Sequence, residues 1–416
     1  MKIAIIGAGF TGLSNAFRLT QLKHQVTIFE KEKSLGGLAA TFKLKGWLWS
    51  VEKHYHHWFG SDFYALRLIK DLGLGEKLIF PKTLTSIFYQ GQIFPFNSAS
   101  HILSFSPFSF PSRLRTGAIS FIFKLIPKSW ALPLEKYTAY DWIKKYFGEE
   151  CFEILWKPLL WGKFGNYAKT VNMAWFWARI KKRTLTLGYL EGGYQTLLEA
   201  LAFQIKKNGG KILLGTPFDP DRNSSFDKVL ITAPSPVFTK LYPELPSEYK
   251  RRISSISHLS ALNLLLITSQ KILKDTYWLN ITDNKFPFIA VIQQTNLVDA
   301  KYYGGCHLTY VANYLTDDHP YLKMTKEELF KTYLPYLQKI NPNFNLQLTT
   351  YNSQLFLGSF AQPVFPVNYS EIKPDFKTPI PNVYLANMDM VYPWDRGTNY
   401  AIELGYKAAE VMLKKG

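Results

Sequence analysis

Gly7, Gly9 and Gly12 stand at the spacing that lets a backbone close on a pyrophosphate. They sit in Gly7-Ala8-Gly9-Phe10-Thr11-Gly12, directly after the apolar run Ile3 to Ile6. Gly7 permits a tight turn, Gly9 lets the chain approach the phosphates, and Gly12 allows a helix to pack closely on the strand. A helix opening there offers unpaired N–H groups and a positive dipole end to the anion. A second run, Gln25 to Phe29, ends at Glu30, whose carboxylate can accept from ribose hydroxyls and disfavours a 2′-phosphate. A lone glycine motif is weak evidence. Strand, turn, helix, strand and acid in this order make a dinucleotide-binding βαβ unit the expectation.

Several other groups could carry chemistry. His54 and His56, in Trp49-Ser-Val-Glu-Lys-His-Tyr-His-His-Trp-Phe59, would share a face if the segment is a strand. No further ligand stands at a convincing spacing, so no metal is expected. Glu52, Lys53, His54 and His56 then either line a pocket or simply pack and hydrogen-bond. Two aromatic stretches, Trp156 to Gly165 and Trp175 to Arg179, embed Lys163 and Arg179. They read mostly as core at helical spacing. The functional alternative is a pocket for a large flat or isoprenoid substrate whose acidic end meets Lys163 or Arg179.

After Glu30 comes Lys31, and five residues on the pair Gly36-Gly37 followed by Leu38, within Phe29-Glu-Lys-Glu-Lys-Ser-Leu-Gly-Gly-Leu-Ala-Ala-Thr-Phe42. This segment resembles the FAD-containing oxidoreductases of the amine oxidase, protoporphyrinogen oxidase and phytoene desaturase group. The resemblance implies that the glycine pair lies against the pyrophosphate; Leu38 stands where many members carry Arg. Leu190-Glu-Gly-Gly-Tyr194 before a helix to Lys207, and a strand Lys211 to Leu214, match the family's return to the cofactor domain. The resemblance places an adenine contact near Phe218. A strand Val383 to Ala386 leads to Asp395-Arg396-Gly397-Thr398 and a helix from about Tyr400 to Leu413. By resemblance that helix points its amino end at the flavin ring, where its dipole stabilises negative charge. The implied cofactor contacts are Gly7, Ala8, Gly9, Phe10, Thr11, Gly12, Glu30, Lys31, Gly36, Gly37, Leu38, Phe218, Asp395, Arg396, Gly397 and Thr398.

The elements that must hold these groups follow from the pattern together with what the resemblance implies. At 416 residues, with roughly 150 per domain, the chain is long enough for two or three units. The fold class expected is α/β: a Rossmann-like FAD-binding domain with a parallel sheet, plus an inserted α+β substrate domain. Cofactor segments fall at about 1–80, 185–235 and 380–416. The insertions are 81–184, mostly helical after a hairpin (Ser86 to Tyr89, Gln92 to Phe96), and 236–379, sheet-rich with runs at Leu259 to Thr268, Phe288 to Gln293 and His307 to Tyr314. A short strand is expected over Ala39 to Leu44.

Composition bounds the partners. Lys+Arg 49 against Asp+Glu 31 gives a net charge of +18, which attracts an acidic lipid surface, a phosphorylated substrate or nucleic acid. Dispersed cations and the lack of a recognition motif argue against nucleic acid. Cys151 and Cys306 form no disulfide framework, so a reducing, cytoplasmic setting is expected. No run of about 20 apolar residues is present. Ser104 to Leu134, apolar with Arg113, Arg115, Lys124 and Lys128, reads either as short proline-broken helices at an anionic membrane surface or as a lid or core pair. The function expected is hydride removal from a hydrophobic or anionic small molecule. Two rivals stand beside it: a flavin-dependent mutase like UDP-galactopyranose mutase, using Arg179, Arg183, Arg251 or Arg252, and a non-catalytic FAD- or lipid-binding protein.

Overall fold

The apolar run at the amino end forms the strand Lys2–Ile6, central in a five-stranded sheet. Its neighbours are Gln25–Phe29 on one side and Lys228–Ile231 on the other, with Lys211–Leu213 and Val383–Leu385 at the edges; every pair is parallel. Strands buried on both faces need continuous apolar sequence, as Ile3, Ala4, Ile5 and Ile6 supply. The structure, a computed structural model, describes residues 1–344 and 351–414. Helix Phe10–Gln21 crosses between the first two strands. Helix Tyr194–Lys207 and the last helix, Thr398–Leu413, pack against it.

A second sheet of seven strands is mostly antiparallel. Its order runs Tyr351–Pro363, His258–Thr268, His307–Leu315, Ala290–Gln293, Trp278–Ile281, Thr85–Tyr89, Gln92–Pro95. The strand His258–Thr268 shows why its sequence is apolar throughout. Leu265 and Ile267 face the core shared with the parallel sheet, while Leu262, Leu264 and Leu266 face a separate core. The second face is covered by helix Lys326–Ile340, begun by a capping box between Thr325 and Glu328. The hairpin at 85–95 joins this sheet by parallel pairing of Thr85–Tyr89 with Trp278–Ile281.

Between the hairpin and residue 184 the described structure is helical, around a third core rich in Phe and Trp. The segment Phe152–Trp156 is a π-turn that runs into helix Lys157–Phe164 at Pro158. A proline lacks the N–H an α-turn would use, and a π-turn is one way to accommodate it.

Three local expectations need correction. Ala39 to Leu44 is not a strand: a 3-10 turn over Gly37–Ala39 precedes a two-residue strand Thr41–Phe42. Ser104 to Leu134 is not broken into short helices throughout, because Phe110–Leu125 is one 16-residue helix with Pro111 in its first turn. Proline is tolerated there since that N–H has no intrahelical partner. His54 and His56 do not lie on a strand; residues 53–57 form an irregular link between two-residue strands at 51–52 and 58–59.

Candidate active site

The glycine turns are built as their sequence requires. Gly7 has φ +109°, donates its N–H to the Phe29 carbonyl at 2.8 Å, and a Cβ there would lie 2.4 Å from the Thr232 hydroxyl. A Cβ on Gly12 would lie 2.0 Å from the Gly7 carbonyl, so the helix can seat only without one. Gly9 differs: nothing lies within 4 Å of its Cβ position, and its backbone is ordinary extended chain. Gly36, at φ +107°, donates to the Ala8 carbonyl at 2.9 Å, and the Cβ position of Gly37 comes 3.6 Å from Gly9 Cα. The two turns therefore lie side by side at the opening of helix Phe10–Gln21. Glu30 ends the second strand there, accepting from Ala8 N–H at 2.8 Å and Glu32 N–H at 2.9 Å. Phe10 turns inward, its ring edge-on to Tyr194, and the Thr11 carbonyl faces the last helix at Gly405.

These features fit a dinucleotide. Open space where a Cβ would sit, unpaired N–H groups of a helix start, and a carboxylate at the strand end are what a pyrophosphate and a ribose need. Lys31 is exposed beside Glu32, and the Phe218 ring is spent on core contacts with Phe29 and Phe226.

The last helix is aimed from the other end of the chain. At Gly405 a Cβ would come 2.1 Å from the Ser14 hydroxyl and 2.4 Å from the Thr11 carbonyl, so small residues bring the two helices together. Its first residues are tied down by Trp58, whose indole N–H donates to Thr398 Oγ1 at 2.9 Å, and by Ala65 N–H, which donates to Asn399 Oδ1 at 3.1 Å. Trp58 in turn stacks on Tyr194, ring centroids 4.1 Å apart. Gly397, just before the helix, has extended backbone.

The His56 ring packs on Tyr194, centroids 5.4 Å apart, the same ring that Trp58 stacks on. The Asn263 side-chain amide donates to His54 Nδ1 at 2.5 Å, and His56 Nδ1 faces the His54 carbonyl at 2.6 Å. His54 also abuts Leu38 across Gly358. Burial, then the charges of His56, Arg396 and Lys53, push His54 down to about 3; burial takes His56 down to about 4. Both rings are neutral at neutral pH. Among the described residues no group of three or more His, Cys, Asp or Glu could hold a metal ion.

Beside them is a cationic cluster that spacing alone does not reveal. Asp395 accepts from Lys163 Nζ at 3.3 Å, from the Trp175 indole N–H at 3.3 Å and from Arg179. Arg396 donates through Nε to Gln362 at 3.0 Å and lies over the Tyr314 ring, 4.8 Å from its centroid. Lys163 lies over the same ring at 5.2 Å, and the Tyr314 hydroxyl is 3.4 Å from that of Tyr55. Two cations, Lys163 and Arg179, thus face one carboxylate, and Arg396 shares the Tyr314 ring with Lys163. Burial alone would raise the Asp395 carboxyl; Lys163 and Arg179 hold it below the usual range. Burial, followed by the Arg179 charge, pulls Lys163 well below a free lysine. Arg251 and Arg252 are not part of this cluster; they line a separate cleft with Tyr249, Ser255 and Ile372. Arg183, just past the end of helix Met173–Lys182, stands near it: burial and then the Arg179 charge lower its guanidinium to about 10, and Asp395 opposes that shift.

Glu52, wholly buried, accepts from the Tyr189 hydroxyl at 2.8 Å and Tyr194 N–H at 2.9 Å; burial lifts its carboxyl to about 7. Asp389 is also buried, bonded to His258 at 2.7 Å and to Ser235, and so fixes the turn that leads to Asp395. Trp58, Tyr55, Tyr314, Gln362, Asn263 and Asp389 carry no motif. Only their position across the fold reveals them.

A parallel sheet with crossover helices and a second, mostly antiparallel sheet define an α/β fold of the FAD-dependent amine oxidase type. The family model described as flavin containing amine oxidoreductase matches residues 10–413, and the chain belongs to that family. It is a flavin-dependent oxidoreductase. The chain is similar to coproporphyrinogen III oxidase of Staphylococcus aureus, 24% identical over 332 residues, covering 66% of this chain and 69% of that protein. It is similar to 15-cis-phytoene desaturase of Synechococcus elongatus, 24% identical over 237 residues, covering 52% of this chain and half of that protein. Among solved structures, a double mutant of putrescine oxidase aligns with TM-score 0.74 and 14% identity, covering 100% of this chain and 99% of that one. Reduced UDP-galactopyranose mutase aligns with TM-score 0.73 and 15% identity, covering 99% and 93%.

Proposed function

We propose that the chain binds FAD and removes hydride from an organic substrate that carries an acidic group, leaving a carbon–carbon or carbon–nitrogen double bond. The observation that carries the cofactor reading is the open space at Gly9, flanked by the left-handed turns at Gly7 and Gly36 and closed by Glu30. Gly7, Ala8, Gly9, Phe10, Thr11, Gly12, Gly36, Gly37 and Leu38 would hold the pyrophosphate, Glu30 the ribose, and Arg396, Gly397 and Thr398 the ring end. Bound FAD supplies a hydride acceptor. The segments 1–80, 185–235 and 380–416 then make the cofactor domain, and 81–184 with 236–379 the substrate domain.

Arg179 and Arg396 orient the substrate. Asp395 is shared between Lys163 and Arg179, and the Arg396 side chain is bonded to the neutral Gln362, so an incoming carboxylate or phosphate completes the balance. Neutral His54 and His56, with Tyr55 and Trp58, wall the ring side and keep water out. Of the substrates named for the two relatives, a porphyrinogen with carboxylate side chains meets this cluster better than a hydrocarbon polyene.

Anaerobic mixing of the holoprotein with porphyrinogens, polyenes, amines and nucleotide-sugars tests the reading. Bleaching of the flavin band by an acidic porphyrinogen-type substrate, weakened in Arg179→Ala, is the expected result. Bleaching by an uncharged polyene alone would remove the acidic-group reading. A nucleotide-sugar that is isomerised on the reduced protein without net oxidation would favour the mutase.

A further inference from the structure

Helix Phe110–Leu125 is apolar on the side that faces away from the protein. Its inner side is set by Thr116 and Phe123, both buried. At about 100° per residue, Phe110, Leu114, Phe121 and Leu125 fall within an outward arc of about 60°. Phe121 is 64% and Leu125 63% exposed, Ile122 borders the same arc, and Trp130, five residues past the helix, is 73% exposed. Clustered exposed aromatics and leucines of this kind mark an interaction surface.

The charges carried by the helix itself have one sign. By the same helical geometry Arg115 lies along one margin, and Arg113 and Lys124 along the other. From Pro81 to Leu134 the sequence contains no Asp or Glu, while it contains Lys82, Arg113, Arg115, Lys124 and Lys128. Arg113 bonds to the Phe108 and Leu103 carbonyls, and Lys124 to those of Lys181 and Arg183, so neither positive charge is cancelled by these partners. The carboxylate hydrogen-bonded to this region is Glu150, which accepts from Ser109 at the helix's first turn.

We infer that helix Phe110–Leu125 docks the protein on an anionic lipid surface, with Phe110, Leu114, Phe121 and Leu125 entering the acyl boundary and Arg113, Arg115 and Lys124 meeting the headgroups. An apolar stripe with cationic margins suits that boundary, because the stripe leaves water while the charges stay at the phosphates. The position also has a consequence for the site. This helix packs directly on Met173–Lys182, with the Trp177 indole donating to the Phe123 carbonyl at 3.1 Å. That second helix carries Trp175 and Arg179 to Asp395. Lipid and candidate substrate cluster are therefore separated by one helix, an arrangement suited to taking a poorly soluble substrate from the bilayer.

Sedimentation of the full-length holoprotein with vesicles of phosphatidylcholine, or of an equimolar mixture with phosphatidylglycerol, tests the inference. Binding to the anionic vesicles, weakened by high salt, is expected. The variant Phe121→Ser/Leu125→Ser should lower partitioning at least about tenfold, with flavin absorbance and melting temperature unchanged. A second variant, Arg115→Gln/Lys124→Gln, should lose the preference for anionic lipid and keep its fold. Absence of binding at low salt, or equal binding by the serine variant, would overturn the inference. So would a protein dimer that the serine variant dissolves while wild type ignores vesicles, since the stripe would then cover a second copy. Because the readout is partitioning, these outcomes are separate from any failure to find a substrate.

Discussion

Gly9 and Gly12 stand three residues apart in one motif, yet alanine should act on them in opposite ways. The Cβ of Gly9→Ala enters space with no atom within 4 Å, on a backbone of φ −76° and ψ 176° that alanine adopts freely. The apoprotein should lose nothing, and the reduced freedom of its unfolded chain should add about 0.4–1 kcal/mol of stability. If a pyrophosphate occupies that space, the methyl displaces it from at least one charge-assisted N–H bond, a loss of about 1.5–3 kcal/mol. FAD affinity should then fall roughly 10- to 150-fold. In Gly12→Ala the Cβ lies 2.0 Å from the Gly7 carbonyl, a backbone atom that can yield only by moving the helix off the sheet. Overpacking of this kind costs about 1–3 kcal/mol in the apoprotein itself. Urea unfolding of deflavinated protein measures the first quantity, and quenching of FAD fluorescence on titration measures the second. A Gly9→Ala protein that is as stable as wild type and binds FAD equally well would refute the placement of the cofactor. One destabilised as much as Gly12→Ala would refute the account of open space.

Two further outcomes follow from buried charge. Asp395→Asn leaves Lys163 and Arg179 without their counter-ion and should lower stability by about 1–3 kcal/mol, read by urea unfolding; the same variant should bind acidic substrates more tightly, read by flavin difference spectra. Glu52 titrates at about 7 in the fold against 4.5 in the unfolded chain, because burial disfavours its charge. Its favourable contribution is therefore full below the unfolded value and is lost as pH rises through about 7, by about 3 kcal/mol at most. Glu52→Gln should flatten that part of the pH profile of unfolding.

Much of the first sheet is legible in sequence because its signals are local. A strand buried on both faces must be apolar throughout, and a turn with φ near +109° before a closely seated helix must be glycine; residues 3–12 state both requirements outright. The segment after Glu30 is less legible. Ala39 to Leu44 has strand composition, but the left-handed turn at Gly36 and the short pairing with Val51–Glu52 leave only two residues in a strand. At 104–134 proline is a poor guide, since Pro111 falls in a first turn where it is harmless. The histidines read as a strand face because period-two spacing carries no information about whether a partner strand exists. The two arginines of 251–252 share their chemistry with Arg179 and not its location.

The sequence by itself determined the βαβ unit, its glycine turns, the acid that follows them and the excess of positive charge. The first three are set by steric or electrostatic demands within some thirty residues of chain, and the last is a sum over all 416. Only the tertiary structure decided that Asp395, Lys163, Arg179, Arg396, Tyr314 and Tyr55 meet, and that Trp58 ties the start of the last helix. Those contacts span up to 340 positions and depend on helix-to-helix seating at Gly405 and on the buried bonds of Asp389. No local pattern encodes a distance closed by packing the two ends of a chain together.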